Sequence, residues 1–152
     1  MTEPIAPPFR RALIALAGGP GDARTVRLTS ELGRAHRAEL VAVHVVEVGW
    51  ATPLDADVAG RSEDAQRILD VAETVAEEAK MRLEPVLLQA RDVGAAIVDE
   101  AMERDADLLV LSLPYRTRFG GDFAIGRTIP YVLKNAPCTV WVVREPIAEE
   151  AS

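Results

Sequence analysis

The chain is poor in the residues that stabilise small extracellular folds or build metal sites. It has one cysteine, Cys138, in 152 residues. No disulfide can form within it, and cysteine usage points to a reducing compartment. Two histidines, His36 and His44, stand apart from each other and from Cys138, which is a poor set for zinc. Basic residues are outnumbered 17 to 24 by acidic ones, leaving a net charge of −7. A broad phosphate-backbone surface needs the opposite balance, so no nucleic-acid partner is expected. No apolar run approaches the ~20 residues of a membrane helix, and residues 1–10 lack the apolar core of a signal peptide. Direct membrane insertion is not expected, and the reading is a cytoplasmic protein. Neither a Walker A motif nor G-x-G-x-x-G is present.

What is there is a hydrophobic fraction of 49% in a length suited to one domain. The organisation reads as a flexible Pro-rich arm over 1–9, a folded domain over 10–145 and an acidic tail over 146–152. Five short apolar runs, Ala12–Ala17, Leu40–Val48, Pro85–Ala90, Asp107–Leu113 and Thr139–Val143, read as strands. Their lack of strict alternation suits strands buried on both faces. Between them lie four helical patterns: Asp22 to His36, Ser62 to Leu83, one starting at Asp92, and Thr128 to Asn135. Ser62 and Asp22 are the expected N-caps of the first two of these stretches that carry them. Strict strand–helix alternation predicts an open parallel α/β sheet with helices on both faces. With the expected order 3-2-1-4-5 it is a Rossmann-like three-layer sandwich of a five-stranded parallel sheet and four helices.

In such sheets ligands bind beyond the carboxyl ends of the strands, where the order reverses. That places a candidate pocket at the loops after the first and fourth strands. Its residues are Ala17, Gly18, Gly19, Val45, Ser112, Leu113, Arg116, Gly126, Arg127 and Thr128. Glycine-rich turns let backbone amides meet a phosphate, but tight strand-to-helix turns call for glycine with or without a ligand. His44, inside an apolar strand, reads as a buried neutral imidazole. Glu47, three residues on, reads as lying on the opposite face. Trp50 and Tyr115 read as covers for a pocket or caps for the core. Ser112 has no nucleophile elbow around it, and Cys138 reads as a small packing residue; no catalytic residue and no metal site is expected.

The span from Arg11 to Arg144 resembles the universal stress protein family. The segment from Gly126 to Arg144 (GRTIPYVLKNAPCTVWVVR) is similar to the family's closing helix and strand, G-S-V-S-E-x-V-L-R-x-A-P-C-P-V-L-V-V. Val43-His44-Val45-Val46 and Asp105-Ala106-Asp107-Leu108-Leu109-Val110 resemble its second and fourth strands. The resemblance implies a homodimeric, non-enzymatic stress-response module. The family's ATP branch carries an acid closing the first strand and G-x2-G-x9-G-(S/T) after the fourth. Here those positions fall on Ala17, Leu113, Arg116, Gly126 and Arg127, with Thr128 one residue late. Only Gly126 matches. The expectation is therefore no cofactor bound in the family-standard way. The alternative is ATP, another adenine nucleotide or a phosphorylated small molecule held by Arg116, Arg118 and Arg127, since guanidinium forks suit phosphate. The loop Tyr115-Arg116-Thr117-Arg118-Phe119-Gly120-Gly121 is also similar to stress-protein domains attached to membrane transporters, which implies a transporter as a candidate partner. The last strand, with Thr139, Val140, Trp141, Val142 and Val143, is the expected homodimer edge.

Overall fold

A computed structural model describes residues 6–51, 53, 61–113 and 126–144. The elements run β1 (Arg11–Ala15), α1 (Gly21–Arg34), β2 (Glu39–Glu47), α2 (Arg61–Glu78), β3 (Leu83–Ala90), α3 (Val93–Glu103), β4 (Leu108–Ser112), α4 (Thr128–Asn135) and β5 (Thr139–Val143). All five strands are parallel in one sheet of order β3-β2-β1-β4-β5. β1 and β4 are buried almost throughout because helices cover both faces of the sheet.

Two apolar layers hold the helices down. On one face Ile14, Leu40, Leu108 and Val110 meet Val26 of α1 and Leu69, Ala72 and Ala76 of α2. On the other, Leu13, Val41, Val43 and Leu109 meet Ile97, Val98 and Ala101 of α3 and Ile129 and Val132 of α4. Phe9, which the sequence assigned to the arm, is fully buried. Its ring meets His36 edge-on at 5.1 Å and Trp141 at 5.6 Å. β3 and β5 are the two edges. Pro85 sits in β3, where an edge strand tolerates a missing N–H.

Several boundaries differ from expectation for local reasons. α2 stops at Glu78 rather than running to Leu83, because Lys80 takes a left-handed conformation (φ 61°). Leu83 then opens β3 two residues before the expected Pro85. Ser62 lies inside α2, which begins at Arg61. α1 begins at Gly21, and Pro20 holds the N-cap position, so Asp22 is not the cap. α3 is capped as expected: the Asp92 carboxylate accepts from the Ala95 amide at 3.1 Å. Pro130 is the third residue of α4, where no helical carbonyl awaits its missing N–H.

Candidate functional site

The β1–α1 turn is organised by a carboxylate that returns from the helix. Asp22 Oδ1 accepts from the Ala17 amide at 3.0 Å and Oδ2 from the Gly18 amide at 2.8 Å. Asp22 is 7% exposed. Burial raises its carboxyl above the ordinary value, while the two amides, His44 and Ser112 pull it back down. Gly18 adopts φ +88°, and a side chain there would press on Ile68 at 3.1 Å. Both features explain why this turn carries glycine.

Beneath the turn lies a buried hydroxyl pair. Thr25 Oγ1 and Ser112 Oγ are 2.7 Å apart, and Thr25 Oγ1 also donates to the Gly21 carbonyl at 3.0 Å. Sequence spacing of 87 residues separates the pair, so α1 is tied to the end of β4 by it. On the other side of β1, His44 Nδ1 donates to the Leu16 carbonyl at 3.0 Å. Because a carbonyl only accepts, that bond places a proton on Nδ1.

These elements enclose a cavity of about 350 Å³ at the carboxyl ends of β1, β2 and β4. Of the ten residues picked from sequence, Ala17, Val45, Ser112, Gly126, Arg127 and Thr128 line it. Gly18 borders His44 but is not on this wall. Gly19 is also off the wall and uses its carbonyl to accept the Asp22 amide at 3.2 Å. Leu113 points into the apolar layer under α4, and its amide donates to the Val143 carbonyl at 2.8 Å. Arg116, like Arg118 and Tyr115, lies outside the described residues.

Sequence reasoning left His44, Glu47 and Asp22 outside the candidate pocket and did not single out Thr25. His44 and Glu47 border the same cavity, because β2 ends there and its two faces both reach the opening. Arg127 Nη2 stands 3.6 Å from Glu47 Oε1, with the arginine side chain 94% exposed. So open a pair holds little energy, and the guanidinium can turn to another anion. A smaller hollow of about 240 Å³ adjoins this one and shares Glu47, Val93, Arg127 and Thr128 with it. Arg91 also lines it, donates to the Gly49 carbonyl at 2.7 Å and lies over the Trp50 ring at 5.0 Å. Trp50 is 84% exposed, so it does not cap the core.

Cys138 is half-buried against the α3–α4 layer, and burial pushes its thiol up, away from thiolate chemistry. Among the described residues no group of three His, Cys, Asp or Glu is arranged to hold a metal, and no helix is long and apolar enough to cross a membrane.

Comparison with known proteins agrees with this architecture. The universal stress protein from Archaeoglobus fulgidus superposes with a TM-score of 0.72 at 22% identity, over 87% of this chain and 96% of that one. A universal stress protein in complex with cAMP gives 0.67 at 18% identity, over 90% and 97%. The Archaeoglobus fulgidus protein in complex with dAMP gives 0.68 at 22%, over 87% and 95%. The sensor protein KdpD of Mycobacterium tuberculosis (strain CDC 1551 / Oshkosh) is 28% identical over 143 residues, which is 93% of this chain. The chain spans only 15% of that relative's length. The model of the universal stress protein family matches residues 8–144, and the chain belongs to that family.

Proposed function

We propose that this chain is a non-catalytic regulatory module, dimeric through β5, whose strand-end cavity takes a small nucleotide without the family's glycine cradle. The observation that carries the reading is the convergence of Ala17, Val45, Ser112, Gly126, Arg127 and Thr128 on one cavity at the point where the strand order reverses. Its volume of about 350 Å³ sits at the low end of the ~300–1,000 Å³ usual for small-molecule sites. Two solved relatives carry cAMP and dAMP, which supports a nucleoside monophosphate as the ligand class.

The β1–α1 turn argues against the standard ATP mode. Its Ala17 and Gly18 amides are already taken by Asp22, and the carboxylate there repels a phosphate. An anion is better served by the start of α4, where Gly126 and Thr128 flank Arg127 and no side chain caps the helix. Native mass spectrometry with AMP, cAMP and ATP, with and without magnesium, tests this. One monophosphate per subunit is expected, weakened about tenfold by Arg127→Ala, the loss of one charged contact. No adduct at millimolar nucleotide would overturn the ligand reading. Steady turnover of ATP would overturn the non-catalytic one.

The dimer is argued from β5. It is an edge strand, and Val142 is 38% exposed on it. Unpaired edge amides beside apolar side chains favour pairing with a second copy. Val142→Lys should convert the dimer to a monomer in sedimentation; an intact dimer would remove β5 from the interface. Regulation of a membrane protein is supported only by the likeness to KdpD, a sensor, and to transporter-attached domains.

A further inference from the structure

We propose that the acidic segment 145–150 of a second copy docks in a basic groove at the amino ends of β2 and β3. This rests on the β5 dimer proposed above. The groove, of about 540 Å³, lies at the pole of the sheet opposite the nucleotide cavity. Arg34, Arg37, Lys80 and Arg82 line it together with Glu39 and Glu84. Both acids are already engaged outward, Glu39 with Arg11 at 2.7 Å and Glu84 with Arg104 at 2.9 Å. Among the described residues none of the four cations is paired with a carboxylate. In a chain of net charge −7 this is a concentration of unpaired positive charge. Helix C-termini favour cations, which accounts for Arg34 at the end of α1. It accounts less well for Arg37 and Lys80, which adopt φ of 57° and 61° where glycine is the cheaper residue. A neighbouring hollow lined by Glu73 and Glu77 bounds the positive strip on the far side of Lys80.

The occupant is chosen by charge and reach. The segment carries Glu145, Glu149 and Glu150 and follows directly on Arg144. In its own chain it departs from the carboxyl end of β5, whereas the groove is level with Thr139, at the other end. A path down the strand and across to β2 is ~28 Å at ~3.3 Å per residue and ~4.8 Å per strand. Glu149 lies six residues beyond Val143 and reaches ~20 Å, which is too short. Antiparallel pairing of two β5 strands centred on Trp141 reverses this. The partner's segment then departs at the groove's own level, four strand spacings (~19 Å) from β2. Glu149 and Glu150 of the partner subunit come within side-chain reach of Arg34 and Arg37.

A disulfide-trapping experiment on the full chain tests the proposal. In a Cys138→Ser background, Glu149→Cys is combined with Arg34→Cys, and the control pairs Glu149→Cys with Asp99→Cys on the exposed side of α3. Mixed isotope-labelled and unlabelled subunits are oxidised mildly, and the linked peptides are identified by mass spectrometry. The expected result is an intersubunit 34–149 link at least about tenfold above the control, falling as salt shortens the Debye length. Glu150→Cys with Arg34→Cys repeats the comparison at the next position. A dimer by sedimentation whose links do not exceed the control overturns the docking and leaves the β5 reading standing. A link within one chain overturns the reach argument. A monomer overturns the dimer reading, and the docking with it.

Discussion

Replacing Asp22 by alanine tests whether the β1–α1 turn is held by its returning carboxylate. The substitution strands two amide donors, at Ala17 and Gly18. A buried donor left without a partner costs about 1–3 kcal/mol. Ala17 and Gly18 are themselves exposed, so water can reach their amides and the low end applies to each. The net loss should be about 2 kcal/mol, or a fall in Tm of about 4–8 °C for a chain of this size. Urea unfolding followed by circular dichroism measures it, with an unchanged m-value confirming that only stability has moved. A change below about 0.5 kcal/mol, or a gain, would show that burying the carboxylate costs as much as its two bonds return. Asp22→Asn should fall between, because an amide keeps one acceptor but turns its NH2 toward the other N–H.

The pH dependence tests the other side of that balance, burial set against the two amide bonds. Burial holds the folded Asp22 carboxyl above its ordinary value of 3.8, so the folded chain binds that proton more tightly than the unfolded one. The contribution of Asp22 is then greatest below 3.8, declines as pH rises through the folded value, and is level above it. The deficit of Asp22→Ala should accordingly be larger at about pH 4 than at about pH 7. The opposite slope would mean that the amide bonds outweigh burial and that the carboxyl is depressed in the folded state.

Two further substitutions probe how the site is anchored. Thr25→Val removes one member of the hydroxyl pair that ties α1 to β4, and should cost about 1–2 kcal/mol; a double-mutant cycle with Ser112→Ala should then show coupling of at least about 0.5 kcal/mol. Gly94→Ala places a Cβ 2.9 Å from Cδ1 and 3.1 Å from Cβ of Tyr131, near the stem of that side chain, so α3 and α4 must part slightly. A loss of about 1–2 kcal/mol is expected despite alanine's better helix propensity, and Tyr131→Ala, which removes the Cδ1 and Cγ contacts but keeps Cβ, should restore part of it.

The sheet was legible because burial on two faces leaves a strong mark on composition. Leu108-Leu109-Val110-Leu111 has no polar residue to turn outward, and that fact gives a parallel strand at the centre of the sheet. The end of α2 was harder to read. Ala79 and Leu83 continue the apolar spacing of the helix, and nothing in a lysine announces the left-handed turn at Lys80 that ends it. The same limit applies to the site. Six of its residues could be found because topology alone says which loops meet at a switch point. Asp22 could not be read correctly, since an acid at the start of a helix reads as a cap. It serves as one only if its own carboxylate faces the helix amides, and here it faces back to Ala17 and Gly18. Thr25 was invisible for a different reason: its partner Ser112 is on another element, and no periodicity pairs a helix hydroxyl with a strand end.

These two residues also bear on what the site can bind. In the family's ATP pattern the acid closes the first strand, where this chain has Ala17; the acid that is present lies five residues later and is spent on the turn itself. A carboxylate so occupied cannot orient a base. His44 is better placed for that: Nδ1 is committed to the Leu16 carbonyl, and the Nε2 of a neutral ring could accept a hydrogen bond on a wall shared with Val45 and Ser112. An exocyclic amine is a donor that could satisfy it. On the proposed nucleotide reading, recognition of the base would turn on His44. Replacing it with phenylalanine, which keeps the ring and removes the acceptor, should weaken an adenine nucleotide about tenfold while leaving binding of an inosine nucleotide, which lacks the amine, nearly unchanged. Equal losses for both ligands in calorimetric titration would assign the effect to packing and refute the acceptor role.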